Sequence, residues 1–408
     1  MTVRVNQDRL RASIDSMDRG AVANALSWAR GEGAFPSPVS IHWDLTLRCT
    51  ARCTHCLQWS WPDQDELTYD QLDKMFSILT RWGIGTLTLG GGNPLLYPHL
   101  ARVLSLASEA GISVGMITEG GVELDEVLIK EMGRALSWIR FSLDGPRAPI
   151  HDAIRNSPGL FDMTISTIAR LHHEMPALTI GINCVVQRQN MRHLSEMRKL
   201  ASDLGVSVLL FKIPHGRDVQ HRYVPTAAEW ADIVSWVSEE RLRSADTDSG
   251  PVTNLSELSE LLGRSLPIAD LARGRPVSSY YRSRRARCYV PLFFLVCDSR
   301  GDVYPCDYLQ ADTRSWRGGG YKEVRQQFCV GNIIADGDLV LERLGYLLRE
   351  RVHTLPGDGY DECGSCTRFF QWNSSLTGLD DALPGGPMSE ETLTLTLGDG
   401  PTRRNAFL

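Results

Sequence analysis

Apolar positions along the chain switch between two periods. "VSIHWDLT" (39–46), "GTLTLGG" (85–91), "SVGMIT" (113–118), "WIRFSLD" (138–144), "LTIGINCVV" (178–186) and "VSVLLFKI" (206–213) are short apolar, β-branched runs of strand length. Between them, segments such as "YDQLDKMFSILTRWG", "PHLARVLSLASEAG" and "LSEMRKLASDLG" place apolar residues every three to four positions and stop at a glycine, as amphipathic helices do. Strand and helix alternate six times. Strands this apolar suit a parallel sheet covered by helices, and six βα units fit either an open doubly wound sheet or a partial barrel. Residues 8–30 predict an N-terminal helix or pair, and 226–242 a further helix. Residues 245–287 read as irregular with short helices. From 288 to 375 cysteine, glycine and proline dominate around one apolar helix (338–351), the pattern of a small metal-stapled module. The tail, 376–408, with "LPGGP" and "GDGP", reads as a surface extension.

Composition narrows the classes. The 408 residues suffice for a barrel-sized domain and a smaller one. No apolar run approaches the roughly 18 residues of a membrane span. The polar N-terminus lacks a signal segment, so the chain is expected in the cytoplasm and off the membrane. A net charge of −6 argues against a broad nucleic-acid surface. The basic run "YYRSRRARCY" (280–289) reads as a solvated segment. Ten cysteines in a cytoplasmic chain point to metal sites before disulfides.

Three of those cysteines, Cys49, Cys53 and Cys56, follow the first strand in "LRCTARCTHCLQW" with C-x3-C-x2-C spacing. A zinc site closes with four ligands, and an iron–sulfur cube normally takes four thiolates. Three leave one metal corner open, where chemistry can occur. The other suggestive motifs also fall at strand ends: "GGGNP" (90–94), "TEGG" (118–121), "SLDGP" (142–146) and "KIPHGR" (212–217). Active sites of parallel α/β folds lie beyond those ends.

These motifs, in this order over roughly residues 38–220, resemble the radical S-adenosylmethionine (SAM) enzymes. The resemblance implies a partial (βα)6 TIM-like barrel. It implies a [4Fe-4S] cluster on Cys49, Cys53 and Cys56, with S-adenosylmethionine on the fourth corner. One electron from the cluster would then make a 5′-deoxyadenosyl radical that abstracts a substrate hydrogen. By the same resemblance His55 lies near the adenine, and Gly91 and Gly92 receive the methionine amino group. Ser142 and Asp144 sit near the ribose or carboxylate, with Arg155 a further carboxylate candidate. Two positions depart from the family: Asn93 stands where Glu is common, and Glu119 where Asn is common. Asn93 keeps an acceptor but brings no charge. A flavodoxin- or ferredoxin-like electron donor is the implied partner.

"GDVYPC" (301–306), with Cys288 upstream and "CGSC" (363–366) downstream, resembles the twitch domain, a shortened SPASM module holding one auxiliary [4Fe-4S] cluster. That resemblance assigns Cys288, Cys306, Cys363 and Cys366 as ligands; a structural zinc site is the alternative. Cys297 and Cys329 read as buried filler, Cys297 being the reserve ligand. The expected domains are an N-terminal extension (1–37), the barrel (38–243), a linker (244–287), the twitch domain (288–375) and the tail.

Cys184, alone in the fifth strand, is either a small buried residue or a hydrogen-atom donor. Twitch enzymes of aminoglycoside biosynthesis, which the overall build resembles, include epimerases with a donor cysteine and dehydrogenases without one. The expected reaction is therefore epimerisation of a carbinol centre in a polar small molecule, with Cys184 as donor. Alcohol oxidation is one alternative. Peptide maturation by cross-links or D-residues is another: "WDLTLRC" fits it, but fewer than 40 residues precede the first strand, where by the resemblance many such enzymes carry a peptide-recognition domain, and this weakens it. A noncatalytic zinc scaffold would explain the cysteines but not the glycine and serine motifs. Lys212, His215, Glu119 and Tyr308 are candidate substrate contacts.

Overall fold

The structure is a computed structural model; it describes residues 19–29, 31–32, 35–56, 65–212, 223, 225–245, 250–255, 290–306, 310 and 328–351. In chain order the elements are α1 (Arg19–Ala29), β1 (Ser40–Thr46), α2 (Tyr69–Arg81), β2 (Thr86–Gly91), α3 (Leu100–Glu109), β3 (Ser113–Thr118), α4 (Glu126–Ala135) and β4 (Leu136–Ser142). Then follow α5 (Ala148–Arg155), α6 (Leu160–Glu174), β5 (Thr179–Val185), α7 (Leu194–Asp203), β6 (Val208–Lys212), α8 (Ala227–Ala245) and β7 (Val252–Thr253). The last are β8 (Phe294–Cys297), β9 (Asp302–Tyr304), β10 (Gly331–Asn332), α9 (Ile333–Asp336) and α10 (Leu339–Arg351). Several helices start where their sequence says they should. The amide of Thr68 donates to Gln71 Oε1 at 2.9 Å before α2, and Asp125 caps α4 by accepting from Leu128 N at 2.7 Å.

Ten strands form one sheet in the order β10-β9-β8-β1-β2-β3-β4-β5-β6-β7. The run from β8 through β1 to β7 is parallel, and β9 and β10 are antiparallel additions. The six expected strands are all present. Two features depart from the sequence reading. The stretch expected to be irregular contributes β7, which pairs with β6 through Val208 and Val252. The cysteine-rich segment also continues the main sheet, because β8 pairs with β1 from Ser40–Phe294 to Trp43–Cys297. Its four residues, "FLVC", are all buried, so they behave as a core strand. Asp338, just before α10, adds a tether. It pairs with Arg81 at 3.0 Å and accepts from Trp82 Nε1 at 2.8 Å.

Strand alternation gives the sheet two unlike faces. One register row reads Trp43, Leu89, Met116, Ile139 and Ile180, all buried. This face meets the helices: Trp43 contacts Phe76 of α2, and Phe211 stacks edge-on against Trp236 of α8 with centroids 5.4 Å apart. The opposite face carries His42, Asp44, Arg140 and Asn183, with His42 in register with Thr88, Gly115, Trp138 and Thr179. Gly115 is required there, because a Cβ would overlap the Trp138 indole. Arg140 lies 4.5 Å from that ring in a cation–π contact.

Candidate active site at the strand carboxyl ends

β1 delivers the chain into the cysteine loop. Two contacts hold its start: Thr46 Oγ1 donates to Glu66 Oε1 at 2.5 Å, and Arg48 pairs with Glu66 at 3.0 Å. The loop then crosses the end of β2 at backbone distance. Gly92 N donates to Thr46 O and Asn93 N to Arg48 O, both at 2.7 Å. Side chains cannot fit between the two segments. A Cβ on Gly92 would overlap the Arg48 carbonyl; one on Gly91 would overlap that of Thr46, and Gly91 also sits at φ +107°. Gly91→Ala is therefore expected to cost about 1–3 kcal/mol from backbone strain alone, measured by chemical denaturation. A wild-type midpoint would refute this close-packed junction. The two glycines, expected beside a methionine amino group, thus also build the floor against which the loop is pressed.

The far side of the loop rests on the C-terminal end of α5. Arg52 N donates to Arg155 O at 3.0 Å and Thr54 N to Ile154 O at 2.9 Å. Cys53 is buried, and the half-buried Cys49 and Cys56 pack with it around Ala51 and Leu160. Among the described residues no three His, Cys, Asp or Glu side chains converge closely enough for a single metal ion. Three thiols gathered in one patch suit a multi-iron cluster, where each thiolate binds a different iron. The donor set therefore fits the group that the motif implies.

Charged and amide groups surround the loop. Glu119, buried after β3, accepts from Asn93 Nδ2 at 3.2 Å, from Thr50 N at 3.3 Å and from the Thr50 hydroxyl, and lies 3.5 Å from Cys49 Sγ. Burial first, then the Glu119 carboxylate, pushes the metal-free Cys49 thiol up to about 12. Asn93 Oδ1 accepts from Thr118 Oγ1 at 2.8 Å and Leu95 N at 3.2 Å, which orients its NH2 toward Glu119. The two departures from the family pattern are therefore one feature. Asn93 and Glu119 face each other, so the carboxylate and the amide have exchanged places across a hydrogen bond.

On the other side, Asp144 is fully buried and paired with Arg155 at 2.7 Å. Asp144 Oδ1 accepts from Val185 N at 2.7 Å, while its amide donates to His151 Nδ1 at 3.0 Å. Burial holds His151 neutral, down to about 4. Arg155 Nη1 reaches Cys53 Sγ at 3.5 Å. Burial opposes the Arg155 charge, but Asp144 and the Cys53 sulfur outweigh it and keep the guanidinium firmly protonated. Ser142 closes β4, half-buried on the polar face beside Asn183.

His55 is oriented by Gln187, a buried residue just beyond β5 that the sequence reading missed. Thr54 Oγ1 donates to Gln187 Oε1 at 3.0 Å, which leaves Gln187 Nε2 to donate to His55 Nδ1, also at 3.0 Å. The His55 proton is thereby assigned to Nε2. Desolvation holds the ring neutral, at about 4. Asp44 and Asn190 were missed as well. Asp44 takes bonds from His42 at 3.0 Å and from Gln310 at 2.8 Å, and Asn190 donates to Asp144 O at 2.8 Å. A polar residue at an inward strand position was the available signal for Asp44. Gln187 and Asn190 carried none.

The two readings of Cys184 turn on which face of β5 it takes. It is fully buried, sits in register with Phe211 and shares the face of Ile180 and Ile182. That face meets the helices, whereas Asn183 and Val185 take the polar side. Burial raises its thiol pKa well above the ordinary value, and Asn190 Nδ2 approaches it at 3.8 Å. Cys184→Ala is accordingly expected to cost about 1–2 kcal/mol as a small core void and to leave turnover per folded enzyme unchanged. Loss of product with an intact fold would restore a catalytic role.

The second cysteine set is described in part. Cys306 and Cys329, both half-buried, pack against one small cluster of Val290, Phe294, Val296, Tyr304 and Phe328. Cys329 is thus less enclosed than expected, whereas Cys297 is fully buried at the end of β8. Cys288, Cys363 and Cys366 lie outside the described residues, as do His215 and Tyr308. Lys212 ends β6, half-buried; Glu119 is engaged with the cysteine loop. Among the described residues no helix is long and apolar enough to cross a membrane.

Residues 43–201 match the Radical SAM superfamily. The mycofactocin maturase MftC of Mycobacterium tuberculosis (strain CDC 1551 / Oshkosh) is 26% identical over 375 residues, covering 91% of this chain and 83% of its own length. An AdoMet-dependent heme synthase of Methanosarcina barkeri is 25% identical over 346 residues, 81% of this chain and 96% of its own. Among solved structures, Streptococcus suis SuiB bound to precursor peptide SuiA superposes with a TM-score of 0.59 over 84% of this chain and 72% of that one, at 13% identity. That likeness is one of fold. The matched stretch runs from β1 to α7, the elements whose ends carry the cysteine loop and its neighbours.

Proposed function

We propose that this chain is a radical SAM enzyme that matures a peptide. The observation that carries the reading is the similarity to a maturase over 91% of this chain. The placement of Cys184 on the helix-packed face supports it, because the epimerase reading needed that thiol at the reacting carbon. When bound at Cys49, Cys53 and Cys56, a [4Fe-4S] cluster with S-adenosylmethionine supplies one-electron chemistry and a hydrogen-abstracting radical.

The chain's own residues do the rest. The glycines after β2 press the cysteine loop into place. Glu119, held by Asn93 and Thr50, offers a buried carboxylate beside Cys49 that suits an ammonium group. His55, fixed by Gln187, presents an Nε2–H donor that suits an adenine ring nitrogen. The polar face of the sheet, with Asp44, Arg140 and Asn183, suits a polar substrate. An auxiliary cluster on Cys288, Cys306, Cys363 and Cys366, in a twitch domain spanning 288–375, would provide a second electron site.

The test uses the full chain, reconstituted anaerobically with iron and sulfide, then given S-adenosylmethionine and dithionite. Precursor peptides, aminoglycosides and a tetrapyrrole are supplied in turn, and 5′-deoxyadenosine and substrate mass are followed. Substrate-dependent 5′-deoxyadenosine with a mass change in a peptide is expected. The same response confined to an aminoglycoside would overturn the peptide reading. One confined to the tetrapyrrole would do so too, in line with the heme synthase similarity.

A further inference from the structure

Arg155 occupies an unusual position for a residue expected to bind a ligand carboxylate. Its side chain is 8% exposed and its charge is already paired with the fully buried Asp144 at 2.7 Å. Its other terminal nitrogen, Nη1, points at Cys53 Sγ, 3.5 Å away. The same residue anchors the cysteine loop from behind, because its carbonyl accepts from Arg52 N at 3.0 Å while the preceding carbonyl accepts from Thr54 N. These two backbone bonds bracket Cys53 and set its distance from the guanidinium. Cys53 is also the most enclosed of the three thiols.

From this arrangement we infer that Arg155 sets the reduction potential of the cluster through the Cys53 sulfur, with Asp144 holding it in place. This rests on the reading that Cys49, Cys53 and Cys56 hold a [4Fe-4S] cluster. A cluster potential depends on net charge, burial and hydrogen bonds to its sulfurs. Reduction adds one negative charge. A guanidinium at a buried thiolate offsets that charge in a medium where water screens little, so it favours the reduced form and raises the midpoint. Asp144 tempers the effect, since it returns a negative charge behind the guanidinium. Glu119 sits on the other flank, beside Cys49, and has the opposite sign. The loop thus has a cation at one thiol and an anion at another, and the Arg155 side opposes the Glu119 side.

The test is an electron paramagnetic resonance redox titration of the reconstituted full chain, with titanium(III) citrate as reductant. The signal assigned to this site is the one that Cys53→Ala loses. Arg155→Met should move its midpoint to more negative potential at unchanged iron content. Arg155→Lys, which keeps the charge and one donor, should lie between that variant and wild type. A midpoint unchanged in Arg155→Met, with S-adenosylmethionine binding lost, would overturn the inference and return Arg155 to a carboxylate contact. Should Arg155→Met fail to load iron, Arg155→Lys decides alone: a midpoint equal to wild type in that variant counts against the inference, and a lowered one supports it. Failure of wild type to load iron at all would instead remove the underlying cluster reading.

Discussion

Replacing Cys49, Cys53 and Cys56 together with alanine is expected to lower iron by about four per chain after anaerobic reconstitution, with a matching loss of labile sulfide. Substrate-dependent cleavage of S-adenosylmethionine should fall to background. The fold should survive, because the loop lies beyond the strand ends and the apolar patch its thiols join, with Ala51 and Leu160, is small. The backbone bonds that seat the loop, from Gly92 to Thr46 and from Arg52 to Arg155, do not involve these side chains. Iron and sulfide analysis beside a thermal melt separates the outcomes. An unchanged iron count with a wild-type melt would show that this loop holds no cluster. A remaining four irons in the triple variant would be consistent with the proposed auxiliary site.

The second large effect concerns the exchanged pair. Glu119→Asn should weaken S-adenosylmethionine binding about 10- to 100-fold, from loss of a charged hydrogen bond of roughly 1.5–3 kcal/mol. It leaves two facing amides at Asn93 and position 119, with no buried carboxylate. Adding Asn93→Glu to that variant restores one carboxylate and one amide across the same hydrogen bond, now in the more common order. The double variant should recover most of the affinity even though each single change weakens it. Equilibrium binding to the reconstituted protein gives all four corners of the cycle. Additive losses in the double variant would mean that the two residues act independently, despite their 3.2 Å contact.

The glycines show how tightly sequence and site are joined here. "GGGNP" reads as a flexible turn at a strand end, and that much is local. Its necessity appears only when the cysteine loop lies across it, because the groups a Cβ would strike belong to Thr46 and Arg48, some 45 residues earlier. Similarly, Asn93 and Glu119 read singly as two departures from a family pattern. Placed side by side, with Thr118 and Leu95 orienting the amide, they form a compensated pair.

Cys184 shows the opposite case. Alternation fixes which residues share its face, but two faces of a strand are equivalent until something packs on one of them. The "IGINCVV" run contains Ile on one parity and Asn on the other, which hints at the answer without deciding it. Phe211 in register and Trp236 from α8 decide it, and both lie outside that segment. The edge strand β7 was missed because two residues carry no periodicity, and β8 was missed as part of the main sheet because strand pairing is set by the partner.

By itself, then, the sequence determined the six alternating strands and helices, the position of the cysteine loop after β1, and the motifs at the other strand ends. Those features follow from local periodicity, from steric needs of glycine, and from the fixed order of elements in parallel sheets. Tertiary structure alone decided which groups meet. It placed Arg155 against Cys53, Glu119 against Asn93 and Gln187 against His55, across separations of 102, 26 and 132 residues. Hydrogen bonds and ion pairs act over a few ångströms in space and are indifferent to distance along the chain, so no local pattern announces them.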